Sequence, residues 1–249
     1  MNVINETMGV FGKLPAHGDF IQRNLPATFI NVWDEWLQHF VSGTKEQLGD
    51  EWLDIYLTSP LWRFTFSPGV IDENVWAGIM IPSVDRVGRY YPFSIVKKLK
   101  VTVNPFELLQ LQSSWYKGME ELALAALDGE IQIDDLIIEL NNTKTDDQSD
   151  YNRSGFNLDG DCFQFDMEFE EQSLSTVYPL LLDSIMLKQF QSYSLWKTSG
   201  SELVSPCFFS SQGLPNIKKM PAMMSGQWKM CDWQQPYTLN SFQCEMGVI

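Results

Sequence analysis

The twelve residues Pro82 to Phe93, Pro-Ser-Val-Asp-Arg-Val-Gly-Arg-Tyr-Tyr-Pro-Phe, constrain the fold more than any other stretch. Before them, Val75 to Ile81 is continuously apolar, as a buried strand is; Tyr90 to Val96 is aromatic and β-branched, which suits a pleated, half-buried surface. A connection this short between consecutive strands requires antiparallel neighbours. The loop must satisfy its own backbone at the surface while holding Asp85, Arg86 and Arg89 close together, and loops of this kind often carry function. Its plain alternative is a tight turn in which Asp85 simply pairs with an arginine. A guanidinium cannot act as a base at neutral pH and offers planar, bidentate recognition, so the group suits binding better than catalysis.

The rest of the chain is organised around that hairpin. Met8 to Pro15 reads as a short strand ended by proline, and Ala16-His17-Gly18-Asp19-Phe20 as a sharp turn. Phe29, Ile30, Trp33, Leu37, Phe40 and Val41 fall on one face of a helix that Pro26 starts and Gly43 stops. Leu48, Trp52, Ile55 and Tyr56 repeat the pattern on a second helix, and these aromatics are expected to pack a core rather than cage a ligand. Strands are expected over Leu61 to Phe66, Val75 to Ile81 and Tyr90 to Val96, forming a β-meander, with Lys97, Lys98 and Lys100 gathered at its end. Asn104 and Pro105 cap a helix expected to run through Leu127 to Gly129, with a short helix over Asp134 to Leu140.

Residues 141–160 are rich in Asn, Asp and Ser and hold almost no core candidates, so they read as a mobile loop. Beyond it come a strand over Cys162 to Phe169, a helix from about Ser173 to Phe190, and strands over Tyr193 to Lys197 and Val204 to Phe209. After Gly213-Leu214-Pro215 the tail, about 216–249, is irregular, with Met220, Met223 and Met224 on a possible helical turn. Neither half has enough strands for its own core. The chain, 249 residues and 44% hydrophobic, is therefore expected to be a single domain built on one shared sheet.

Composition narrows the partners. Asp and Glu outnumber Lys and Arg by 32 to 17, a formal charge of −15 that repels phosphate backbones and anionic lipid, so nucleic acid is a poor partner. The N-terminus lacks a basic start and apolar block, and no apolar run reaches spanning length, so a cytoplasmic protein without membrane insertion is expected. Cys162, Cys207, Cys231 and Cys244 are widely spaced and lie far from His17 and His39, which predicts reduced, metal-free thiols. Gly9, Gly12 and Lys13 lack the gap and hydroxyl of a phosphate loop. His17 and Asp19 lack a nucleophile motif, and the paired carboxylates such as Glu120-Glu121 and Asp134-Asp135 diverge on helices or loops. No cofactor, metal or catalytic residue is indicated.

Taken in order, Gly12-Lys13-Leu14-Pro15-Ala16-His17-Gly18-Asp19-Phe20, Trp33-Asp34-Glu35-Trp36-Leu37, Ser59-Pro60-Leu61-Trp62-Arg63-Phe64, the Pro82 to Pro92 loop, Ser194-Leu195-Trp196-Lys197-Thr198-Ser199-Gly200 and Gly213-Leu214-Pro215 resemble the TagF (ImpM) family of type VI secretion-associated proteins. Lys197 departs from it, standing where a second aromatic is expected after Trp196. The resemblance implies a three-layer αβα sandwich with a largely antiparallel, mixed central sheet. It also implies a cytoplasmic accessory protein of Gram-negative bacteria that represses the secretion apparatus after translation by binding its forkhead-associated scaffold protein, sometimes with a PppA-type phosphatase. The candidate partner-binding residues are Ser83, Asp85, Arg86 and Arg89 of the loop, Lys13, His17 and Asp19 of the preceding turn, and Trp196. The rival readings are a small hydrolase or phosphatase-like enzyme using His17 and Asp19, and a structural subunit of the apparatus.

Overall fold

Period-two alternation along the strands sends large side chains to both sides of one sheet, and each side needs its own cover. The computed structural model describes residues 7–143, 174–234 and 237. Its strands are β1 Met8–Gly12, β2 Ile21–Arg23, β3 Trp62–Phe66, β4 Val75–Ile81, β5 Phe93–Leu99, β6 Tyr193–Thr198 and β7 Cys207–Gln212, in the order β2-β1-β5-β4-β3-β6-β7. Every ladder is antiparallel; the only parallel pairing among the described residues is the isolated bridge Tyr193–Gly213. Because β6 pairs with β3, strands on either side of residues 144–173 share this sheet.

One face carries Trp62, Phe64, Phe66, Trp76, Met80 and Trp196, covered by α1 Ala27–Leu48, α2 Trp52–Leu57 and α7 Met220–Ser225. The other carries Val10, Ala77, Ile79, Ile95, Tyr193 and Leu195 beneath α3 Pro105–Leu111, α4 Ser113–Leu127, α5 Ile133–Asn142 and the inner side of α6 Tyr178–Phe190. The result is an αβα sandwich. No helix among the described residues is long and apolar enough to cross a membrane.

Several local expectations shift. Helix α1 begins after Pro26, whose carbonyl accepts the N–H groups of Phe29 and Ile30, but it runs through Gly43 and ends at Gly49, which adopts φ 59°. Gly43 is a packing residue and not a stop, since a Cβ there would come within 3.0 Å of Ile217. The single helix expected from Pro105 to Leu127 is two, broken at Gln112 (φ −89°, ψ 38°). Asn104 does cap α3, accepting from the N–H of Phe106 and Glu107 at 3.0 Å, and its amide donates to the Pro179 carbonyl on α6.

Strand β5 starts at Phe93 and not Tyr90, because Tyr90 and Tyr91 bond back across the loop to Val84 and Ser83. Strand β7 starts at Cys207 and not Val204, whose carbonyl instead accepts the Ser201 N–H in a turn completed by Pro206. The strand expected over Cys162 to Phe169, and the loop at 141–160 beyond Thr143, lie outside the described residues. Strand β2, only three residues long, is not apparent from the sequence.

Candidate functional site

The hairpin loop between β4 and β5 is closed by one carboxylate. Asp85, Arg86, Val87 and Gly88 form a turn in which the Gly88 N–H donates to the Asp85 carbonyl at 3.0 Å, with Asp at its first position and Gly at its fourth. The Asp85 side chain folds under that turn. Its Oδ1 accepts the N–H of Val87 at 3.0 Å and of Arg89 at 2.9 Å, while Oδ2 accepts from Arg89 Nε at 2.6 Å and pairs with Lys13 Nζ at 3.0 Å. The carboxylate is fully enclosed, 0% exposed. Burial pushes its pKa up, but the Arg89 N–H, the Lys13 ammonium, the Arg89 guanidinium and the Val87 N–H together hold it well below the usual carboxylate range.

Lys13 reaches this carboxylate because β1 ends in a glycine. Gly12 sits at φ 132°, and a Cβ there would fall 2.1 Å from the Pro92 carbonyl, so only glycine lets the chain pass beneath the base of the loop. The turn that follows is sewn to the loop. The Arg86 N–H donates to the His17 carbonyl at 2.9 Å, the Arg89 guanidinium donates to the Gly18 carbonyl, and the Ser83 hydroxyl donates to the Lys13 carbonyl at 2.7 Å. From below, the Tyr56 hydroxyl of α2 donates to the Ser83 carbonyl at 2.9 Å and accepts the Ser83 N–H at 3.0 Å. Burial keeps Tyr56 neutral by raising its pKa, and its ring stacks on Trp52 at 4.9 Å.

The expected residues therefore separate by role. Lys13, Ser83 and Asp85 are buried and act as ties beneath the surface. Arg89 is a tie with an exposed head, 57% open to solvent. The Arg86 side chain makes no hydrogen bond or ion pair among the described residues and stands exposed at the tip beside Val87. The structure thus joins Asp85 to Arg89 and Lys13, and leaves the Arg86 guanidinium outside that set.

His17 and Asp19 lie on the neighbouring turn; neither side chain hydrogen-bonds to the other or to a serine or cysteine among the described residues. No group of three or more His, Cys, Asp or Glu among the described residues could hold a metal ion. Trp196 is not at this site. It is completely buried on β6, stacked on Trp36 at 5.4 Å and Phe209 at 6.0 Å, with Nε1 donating to Ser194 Oγ at 2.8 Å, so it serves the core and cannot contact a partner.

Two contributors have weaker sequence signals. Phe20, half exposed, stacks against Phe11 and meets Tyr91 edge-on at 4.8 Å, with Lys13 Nζ over its ring at 4.9 Å. Its place beside Asp19 in a turn marks it as surface, but nothing in the sequence brings it to this loop. Tyr56 falls in the apolar stripe of α2, which conceals the role of its hydroxyl.

The chain is similar to the crystal structure of PA0076 from Pseudomonas aeruginosa PAO1, with 27% sequence identity and a TM-score of 0.73 over 94% of this chain and 99% of that one. No curated protein matches the sequence. Residues 9–143, more than half the chain and the segment that builds β1 to β5 and the loop, match the family described as the TagF N-terminal domain, type VI secretion system-associated. An αβα sandwich carrying this braced loop is thus the frame of a type VI secretion-associated protein. The chain belongs to the TagF family.

Proposed function

We propose that this protein is a non-enzymatic, cytoplasmic repressor of a type VI secretion system, acting after translation by binding the forkhead-associated scaffold protein through the loop tip Arg86 to Arg89. The observation that carries this reading is the asymmetry of the tip. Its backbone is bonded to Asp85 and His17, while the Arg86 guanidinium makes no hydrogen bond or ion pair among the described residues. A tied backbone loses little conformational freedom on docking, and the unpaired guanidinium offers all of its donors in a planar fork to a partner, which offsets the cost of ordering the side chain.

Phe20 and Val87, exposed beside it, supply apolar area, and the arginines offer a basic contact on a chain of charge −15. That combination fits an acidic or polar patch on the scaffold protein. A PppA-type phosphatase is a second partner consistent with family membership. The test is copurification from a host with an intact secretion cluster, comparing wild type with Arg86→Ala. The scaffold protein should copurify with wild type, and the variant should recover much less of it and fail to repress secretion. Equal recovery with both proteins would remove the loop tip from the interface; copurification of the whole assembled apparatus would indicate a structural subunit instead.

A further inference from the structure

The enclosed carboxylate of the loop has no capacity left for another cation. A carboxylate offers about four lone-pair sites, and those of Asp85 are filled: Oδ1 by the Val87 and Arg89 N–H groups, Oδ2 by Arg89 Nε and Lys13 Nζ. Lys13 and Arg89 thus share one negative charge between them, and Arg86 adds a positive charge that Asp85 cannot accept. The Asp19 carboxylate on the adjoining turn makes no ion pair with either guanidinium among the described residues.

Both guanidiniums converge on Gly18. Arg89 Nη2 donates to the Gly18 carbonyl, and Arg86 Nη2 lies 3.5 Å from the place a Cβ would occupy on that residue. Neither backbone strain nor crowding demands a glycine there. Its φ is not in the left-handed region, and the Arg86 nitrogen is the one neighbour within 4 Å of the Cβ position among the described residues. What the missing side chain does is leave the backbone of the turn uncovered between two guanidiniums. The N–H groups of Gly18 and Asp19 make no hydrogen bond among the described residues. Of the donors a guanidinium carries, Arg89 has committed two, to Asp85 and to Gly18, and Arg86 none.

We propose, resting on the loop-tip reading above, that the turn at Gly18 between Arg86 and Arg89 is an anion site for a phosphoryl group. A phosphorylated side chain brings three acceptor oxygens and a charge approaching −2, enough to engage both guanidiniums and still reach the open N–H groups of the turn. A carboxylate, with two oxygens and a single charge, satisfies one guanidinium and leaves the other unpaired. The chain's charge of −15 does not forbid this, because at physiological salt it is screened beyond about 8 Å, whereas the two guanidiniums meet the ligand in contact. A nucleic acid would spread many phosphates past this cluster and over the acidic surface; one phosphoryl group need not.

Chemical-shift titration of the isotope-labelled full chain at constant ionic strength tests this, read at the backbone N–H of Gly18 and Asp19 and at the Nε–H of Arg86 and Arg89. The probes are a short glycine-flanked phosphothreonine peptide and inorganic phosphate, with the same peptide carrying threonine or glutamate as controls. The phosphothreonine peptide should shift these signals to saturation, and both control peptides should bind roughly tenfold more weakly or worse. Tighter binding of that peptide than of inorganic phosphate assigns the site to a phosphorylated side chain, and equal affinity assigns it to the free ion. Arg86→Ala should melt like wild type and weaken the phosphothreonine peptide roughly tenfold or more, and Arg86→Lys, which keeps the charge but not the planar fork, should recover only part of that loss. Glutamate bound as tightly as phosphothreonine, or Gly18 signals that answer neither phosphate probe, overturns the proposal. A scaffold protein that needs Arg86 for copurification yet binds equally before and after phosphatase treatment also overturns it, and leaves the loop-tip reading standing.

Discussion

Replacing Tyr56 by phenylalanine deletes one oxygen at the point where α2 supports the loop. That oxygen donates to the Ser83 carbonyl at 2.9 Å and accepts the Ser83 N–H at 3.0 Å, both in the interior. The two losses are unequal. The Ser83 carbonyl keeps a bond from the Tyr91 N–H at 3.0 Å, so it remains satisfied, whereas the Ser83 N–H is left buried with no acceptor. Orphaning a buried donor costs about 1–3 kcal/mol, so Tyr56→Phe should destabilise by about 2 kcal/mol, while the ring contacts to Trp52 and Tyr90 survive. For a domain of this size that corresponds to a fall of roughly 4–8 °C in melting temperature. Tyr116→Phe is the control: its hydroxyl only donates, to the Phe64 carbonyl at 3.0 Å, so no buried N–H is orphaned and its cost should be smaller, about 1 kcal/mol. Urea denaturation of the three proteins measures both values. A loss under about 0.5 kcal/mol for Tyr56→Phe, within the range of ordinary surface changes, would refute the view that this hydroxyl braces the loop.

Three further outcomes follow from the same geometry. Trp196→Ala should cost about 3–5 kcal/mol of stability by chemical denaturation, since it empties the centre of one core; a near-neutral result would contradict the buried placement. The charged form of Asp85 is favoured by folding, so its contribution is complete above its unfolded pKa near 4 and lost as pH falls below that; the wild-type urea midpoint should drop there, and Asp85→Asn should flatten the drop. Burial pushes the Cys207 thiol up to about 11, so its alkylation at pH 8 should be at least roughly tenfold slower in the folded protein than in urea; equal rates would contradict that burial.

The sheet was legible where its strands carry long apolar or alternating runs, as in β1, β3 and β4, and the cap at Asn104 was legible because its chemistry is local. What escaped was set by contacts distant in sequence. Gly43 looks like a helix stop until Ile217 is seen packed on it, and β2 is too short to show a period. The extent of β5 depends on Tyr90 and Tyr91 bonding backward, which residue type does not reveal.

At the site, the pairing of Asp85 with Arg89 four residues on was readable from types and spacing, whereas the second partner, Lys13, is some seventy residues away in sequence and arrives from the end of the neighbouring strand β1 because Gly12 permits it. Trp196 shows the converse: expected as a partner-binding residue, it lies on a strand whose alternation sends its ring inward with Phe64 and Trp36.

The central claim is that the loop tip is a braced surface whose free guanidinium binds the partner. The most direct test is the affinity of purified wild type, Arg86→Ala and Arg89→Ala for the forkhead-associated scaffold protein, with melting temperature measured on the same samples. Arg86→Ala should lose about 2 kcal/mol or more of binding, roughly thirtyfold in Kd, and melt like wild type. Arg89→Ala should lose affinity and also melt lower, because Asp85 then keeps only Lys13 and two backbone N–H groups. An Arg86→Ala protein that binds as tightly as wild type, or that melts well below it, would contradict the account.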